Sequence, residues 1–158
     1  MASKQHQYPV EVVWTGNHGT GTKTYQGYGR DHEVRVAGKP VIAGSSDAAF
    51  RGDGSKHNPE DMFVAALSSC HMLWYLHLAA VAGVVVTAYH DEAVGTLDES
   101  GTQGRFTEVV LRPTVTATAD SDPRRAVSVH EDAHHACFLA NSVNFPVRCE
   151  PRIVIESV

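Results

Sequence analysis

Positive charge is the first thing this sequence is short of. Its 13 Lys and Arg face 18 Asp and Glu, for a net charge of -5. No basic run appears anywhere along it. A broad footprint for nucleic acid or anionic lipid needs clustered cations, so neither partner is expected. Long hydrophobic runs are also missing. The best membrane candidate, residues 58–83, is interrupted by Ser68, Ser69, His71 and His77, and no 18 consecutive residues are all apolar. The opening MASKQHQYPVEVVW has no continuous apolar stretch of the signal-peptide kind. These absences predict a soluble, cytoplasmic protein. Cysteine is scarce too, with three in 158 residues. In a reducing compartment three cysteines are no disulfide framework. A pair there is more often catalytic, redox-active or metal-binding, whereas a lone buried one is a small core hydrophobe.

What is present reads as one globular domain spanning 1–158, with 42% hydrophobic and 20% charged residues. YPVEVVW, TKTYQGY and HEVRVAG alternate like three strands, with a Gly-Arg-Asp turn (Gly29 to Asp31) before the third. Residues 43–57 are small and polar and read as a loop. A long helix follows over 58–83. Asn58 can cap it, Pro59 suits its first position, and Glu60 and Asp61 favour the positive end of its dipole. Gly83 ends it. VVVTAYHDEAVGTL and RFTEVVLRPTVTATA read as a hairpin across DESGTQG. A second helix is predicted from Ser121 or Asp122 to about Ala140. Its apolar positions are Ala126, Val129, Ala133, Cys137 and Ala140. VRCEPRIVIES reads as a last strand, with Val147, Cys149, Ile153 and Ile155 on one face. The order βββ-α-ββ-α-β predicts an α+β fold, two helices packed on a largely antiparallel sheet.

Beyond its first turn the long helix has no charged face. Met62, Phe63, Ala66, Leu67, Leu73, Trp74, Leu78 and Val81 surround it. A helix apolar nearly all round must be buried. One small domain has little with which to cover a rod of about 36 Å, so a homodimer is expected.

Each cysteine taken alone reads as core packing. Cys149 keeps that reading on its strand face. Company raises the other two. Asn58-Pro59-Glu60 is followed, ten residues after the Glu, by Cys70, and a distant Ala133-His134-His135-Ala136-Cys137 lies on the second helix. With Gly29-Arg30-Asp31, these motifs resemble the OsmC/Ohr family of osmotically inducible and organic hydroperoxide resistance proteins. The likeness covers nearly the whole chain. It implies an intertwined homodimer and a thiol-dependent peroxidase needing no cofactor and no metal. Cys70 would attack an organic hydroperoxide, releasing an alcohol and becoming a sulfenic acid. Cys137 would condense with it to a disulfide, and an external dithiol, of the lipoyl type for example, would reset the pair. A mid-helix thiol gains nothing from the helix N-terminus, so its thiolate needs a cation. Arg30 would supply it and Glu60 would hold the guanidinium. Arg51 is the second candidate cation. Phe63, Leu67, Trp74 and Phe138 would form an apolar substrate pocket. After the second cysteine this chain has Phe138-Leu139-Ala140 where the hydroperoxide-resistance branch has Pro, so the general OsmC-like branch fits better.

Two other readings compete. One is a non-catalytic OsmC-like module binding a small apolar ligand in the same cleft; retention of both cysteines argues against it. The other is metal binding, since His130-Glu131-Asp132-Ala133-His134 spells the H-E-x-x-H of zinc proteases. Ten histidines make a chance match easy, no third ligand follows at a telling distance, and the segment is polar, so a solvated helix face is the simpler expectation.

Overall fold

The computed structural model describes residues 4–157, and the chain divides between Met62 and Phe63 into two compact units. The first unit carries a three-stranded antiparallel sheet in the order β1-β2-β3: β1 (Glu11–Trp14), β2 (His32–Arg35) and β3 (Ile42–Gly44). Val12 pairs with Val34, and Val34 with Ile42, placing β-branched residues across the ladder. The expected strand TKTYQGY does not form. Residues 16–29 are turns instead, and the third strand lies at the head of the segment read as a loop. The cause is local chemistry. Asn17 Oδ1 accepts the N–H groups of Gly19 and Gly21 at 2.9 and 3.0 Å. Both glycines have positive φ, 101° and 57°, which suits glycine and offers the backbone an alternative to a ladder.

The long helix, α1 (Pro59–Val81), starts as its sequence predicts. Asn58 Oδ1 accepts from Asp61 N at 2.7 Å, and Asp61 Oδ2 accepts from Asn58 N at 3.3 Å. This is a reciprocal capping arrangement. After α1, Gly83 takes a φ of 74°, the left-handed stop that glycine adopts without strain.

In the second unit the two long strands expected between the helices are four. They are β4 (Val86–Asp91), β5 (Val94–Ser100), β6 (Gln103–Leu111) and β7 (Pro113–Ala117). The hairpin is there, as β5–β6 closing at Ser100 and Gln103. The chain changes sheet, however, at residues 92–93 and at Arg112. Pro113 has no N–H for a continuing ladder, and the N–H of Arg112 donates to Asp91 Oδ1 at 2.7 Å. Pro151 divides the last strand in the same way, into β8 (Val147–Cys149) and β9 (Arg152–Ile155). Two three-stranded sheets result, β4-β7-β9 and β5-β6-β8. Their final pairings, β7 with β9 and β6 with β8, are parallel, so both sheets are mixed. The four residues expected on one face separate accordingly. Ile153 and Ile155 pack on one core cluster, and Val147 and Cys149 on another.

The second helix, α2 (Pro123–Ala136), is capped by Asp122, whose side chain accepts from Arg124 N at 2.9 Å. It stops at Ala136, short of the expected Ala140. Cys137 is the C-cap residue with extended dihedrals, and a 3-10 turn over Ala140–Ser142 follows. The stripe that α1 buries is Leu67, His71, Tyr75 and Ala79, strictly i, i+4. Cys70 and Trp74 lie one position outside it. Two helices with antiparallel and mixed sheets make the class α+β.

Candidate active site

Cys70 lies in the body of α1 and is half-buried, while Cys137 at the end of α2 is 1% exposed. The break of α2 at Ala136 turns the Cys137 side chain inward. Its Sγ accepts the N–H of Ala140 at 3.5 Å, and its backbone N–H donates to His134 O at 3.3 Å. The two thiols are free, and Cys70 is near enough to act on the Cys137 thiol. Burial first, and then the hydrogen bond with Cys70, push the Cys137 thiol up from 9.0 to about 11. At neutral pH Cys137 is therefore a protonated thiol near Cys70.

The aromatic surroundings divide. Trp74, one turn beyond Cys70, meets Phe138 edge-on with ring centroids 5.4 Å apart. Leu73, Trp74 and His77 line a shallow recess of about 260 Å³. Phe138 and Leu73 are 67% and 63% exposed. Phe63 and Leu67 belong elsewhere. Leu67 is 1% exposed in the core with Val109, Leu111 and Val147, and Phe63 packs on Phe106 and Phe145 at 5.1 and 6.0 Å. Leu67 has no free surface to offer a substrate, because α1 buries its 67-71-75-79 edge.

In the first unit Arg30 is held by the turns that replaced the expected strand. Its guanidinium donates to the carbonyls of Tyr28 and of Tyr25, the latter at 2.8 Å. It lies over both rings, 4.4 Å from the Tyr25 centroid and 4.1 Å from that of Tyr28. Arg51, in a left-handed conformation with φ of 65°, approaches the same Tyr25 ring at 5.9 Å. The two candidate cations thus converge on one tyrosine. The expected pairing of Arg30 with Glu60 is not made. Among the described residues Glu60 takes part in no ion pair, and the tyrosine carbonyls hold the guanidinium nitrogens.

A second cluster escaped sequence reading. His71 on α1, His130 on α2 and Cys149 on β8 meet in the interior. His71 Nε2 and His130 Nδ1 are 3.0 Å apart, and Cys149 Sγ lies 3.6 and 3.7 Å from them. The imidazole planes are within 5° of parallel and the rings meet edge to edge, their centroids 5.3 Å apart. Tyr75 stacks on His130 at 3.9 Å and fixes itself by donating to Ala126 O at 3.0 Å. Burial holds the His71 and His130 imidazoles down, from 6.5 to about 4 and about 3. Burial lifts the Cys149 thiol to about 12. The H-E-x-x-H face is thereby broken up. His130 turns into the core, and exposed Glu131 sits 4.0 Å from His135. No spacing could have signalled this trio, since its members come from three separate elements.

Residues 52–152 match the family model described as OsmC-like protein. The chain belongs to the OsmC-like family. An OsmC-like protein of unknown function from Vibrio cholerae is similar along 93% of this chain and 99% of its own, at 34% identity and a TM-score of 0.85. Two remoter structures share the fold. An organic hydroperoxide resistance protein from Legionella pneumophila is 16% identical over 96% of this chain and 98% of its own, with a TM-score of 0.68. One from Bacillus subtilis is 17% identical over 94% and 98%, with a TM-score of 0.59. No curated protein sequence matches the chain.

Proposed function

We propose that this protein is a thiol-dependent peroxidase that reduces organic hydroperoxides to alcohols. The observation that carries the reading is the Cys70–Cys137 contact: a half-exposed thiol beside a buried one that stays protonated. Membership of the OsmC-like family supports a redox role. The Cys70 thiolate attacks the nearer peroxide oxygen and the O–O bond breaks. The alkoxide leaves and takes up a proton as alcohol, and Cys70 becomes a sulfenic acid. Cys137 then supplies its thiol to Cys70; an S–S bond forms and water leaves. An external dithiol returns two electrons and two protons, becoming a disulfide itself. Trp74 and Phe138 are the proposed wall for the organic group, since an apolar substituent gains by displacing water from them. Phe63 and Leu67 act behind that wall through packing.

Arg30 is the proposed activating cation, with Glu60 as its carboxylate in the working assembly and Arg51 as the alternative. That assembly is proposed to be a homodimer in the cytoplasm. Length and a mean hydropathy of 1.4 would also let α1 cross a membrane; its buried, hydrogen-bonded Tyr75 and His71 favour a core helix instead.

Thiol counting across one equivalent of cumene hydroperoxide tests the reading. The reduced protein should lose two thiols. Cys70→Ser should consume no peroxide, and Cys137→Ser should stop after about one turnover with a sulfenic acid on Cys70. Full turnover by Cys70→Ser would refute the assignment. Arg30→Ala should slow alkylation of Cys70 at neutral pH, because a cation stabilises a thiolate. An unchanged profile would move the role to Arg51.

A further inference from the structure

The redox reading leaves one built cluster unused. Three ligand atoms, two imidazole nitrogens and one sulfur, all lie within 4.8 Å of one another in the interior. We propose that His71, His130 and Cys149 bind a zinc ion, as two neutral imidazoles and one thiolate.

The geometry supports this closely. The three atoms form a triangle with sides of 3.0, 3.6 and 3.7 Å. Tetrahedral zinc, with Zn–N near 2.0–2.1 Å and Zn–S near 2.3 Å, spaces its ligands about 3.4 Å apart for two nitrogens and about 3.6 Å for nitrogen and sulfur. A point equidistant from the three corners lies about 2.0 Å from each, close to these bond lengths. The donor set suits the metal, since imidazole and thiolate are its commonest protein ligands.

The free trio is awkward as a mere core contact. Two neutral imidazoles and a thiol converge on one centre, where the nitrogens share a single hydrogen bond. The outward nitrogens, His71 Nδ1 and His130 Nε2, are buried with no partner among the described residues, with or without a metal. Zinc binding replaces the inward hydrogen bond with two coordinate bonds. Each ring takes the tautomer with its proton on the outward nitrogen, and the Cys149 proton goes to solvent. The His130 ring is already fixed by the Tyr75 stack and by the hydrogen bond of Tyr75 to Ala126, and a tilt of the facing rings aims both inward lone pairs at the ion.

Charge balances as well. Zinc with one thiolate leaves a single positive charge, and Asp91 is near enough for its carboxylate to act on both His71 and Cys149. Asp91 is itself fixed by Ser68 Oγ and by the N–H of Arg112 at 2.7 Å. Tyr89, whose buried hydroxyl also lacks a partner, feels the charges of Asp91 and Cys149. A bound ion would clamp α1, α2 and β8 together behind the cysteine pair, since His71 directly follows Cys70.

Cobalt is the probe, because it takes zinc sites and reports them by colour. Reduced, metal-stripped full-length protein titrated with Co2+ should bind one equivalent. It should show a thiolate-to-cobalt charge-transfer band with the d–d bands of tetrahedral cobalt, both removed by one equivalent of Zn2+. The Cys70→Ser/Cys137→Ser double variant should keep the charge-transfer band, and Cys149→Ser should lose it. X-ray absorption on the wild-type zinc complex, which needs no variant to fold, should give one sulfur and two imidazoles. Absence of any thiolate band in the wild type would overturn the proposal. So would a band that vanishes in the double variant, or a zinc shell without sulfur.

Discussion

The cysteine pair makes a quantitative demand on Cys137. Its thiol is pushed from 9.0 to about 11, so at pH 8 its thiolate fraction is about 100-fold below that of an ordinary cysteine. Iodoacetamide reacts with the thiolate, so alkylation of Cys137 should be slower by at least that factor, and slower still because the side chain is 1% exposed. The two causes can be separated. Burial is the larger and the hydrogen bond with Cys70 the smaller. Cys70→Ser should therefore lower the alkylation midpoint of Cys137 only part of the way, leaving it above 9. The assay is convenient, because cleavage after Lys and Arg puts the three cysteines on separate peptides, 57–105, 126–148 and 149–152. Alkylation rates at each pH can be read for all three by mass spectrometry. A Cys137 midpoint at or below 9 in the reduced wild type would refute the reasoning.

Three further outcomes are expected. Leu67→Ala removes a side chain that is 1% exposed and packed on Val109, Leu111 and Val147, and should cost about 2–5 kcal/mol in urea unfolding while sparing the thiols; a loss under 1 kcal/mol would contradict its core placement. His71 and His130 have pKa values of about 4 and 3 in the fold against 6.5 unfolded, so the unfolded chain binds more protons. Metal-free protein should then keep full stability above pH 6.5 and lose it as pH falls toward 4, and a flat urea midpoint from pH 6.5 to 5 would contradict this. Leu73 and Val81, 63% and 75% exposed on α1, should be covered in a homodimer of the free protein; sedimentation equilibrium at low micromolar concentration should give twice 17.1 kDa, and an active monomer would exclude it.

Sequence alone determined what local chemistry can specify. Asn58-Pro59 and Asp122-Pro123 start the two helices because caps and fixed φ act within one turn. The placing of two helices among strand segments was legible in the same way, whereas the pairing of Cys70 with Cys137 came from the resemblance to the OsmC/Ohr family. Some misses were local signals that periodicity overrode. The glycines between 16 and 29 outweighed the alternation of TKTYQGY, and Pro113 and Pro151 each cut one apparent strand into two, which only two sheets could use. The rest was settled by tertiary packing. Alternation cannot say which i, i+4 edge of an apolar helix turns inward, and here the 67-71-75-79 edge did. That choice carried His71 into the core. His130 and Cys149 met it from a second helix and a strand, 59 and 78 residues away. No spacing rule reaches across such distances, because contacts between elements depend on how whole faces pack.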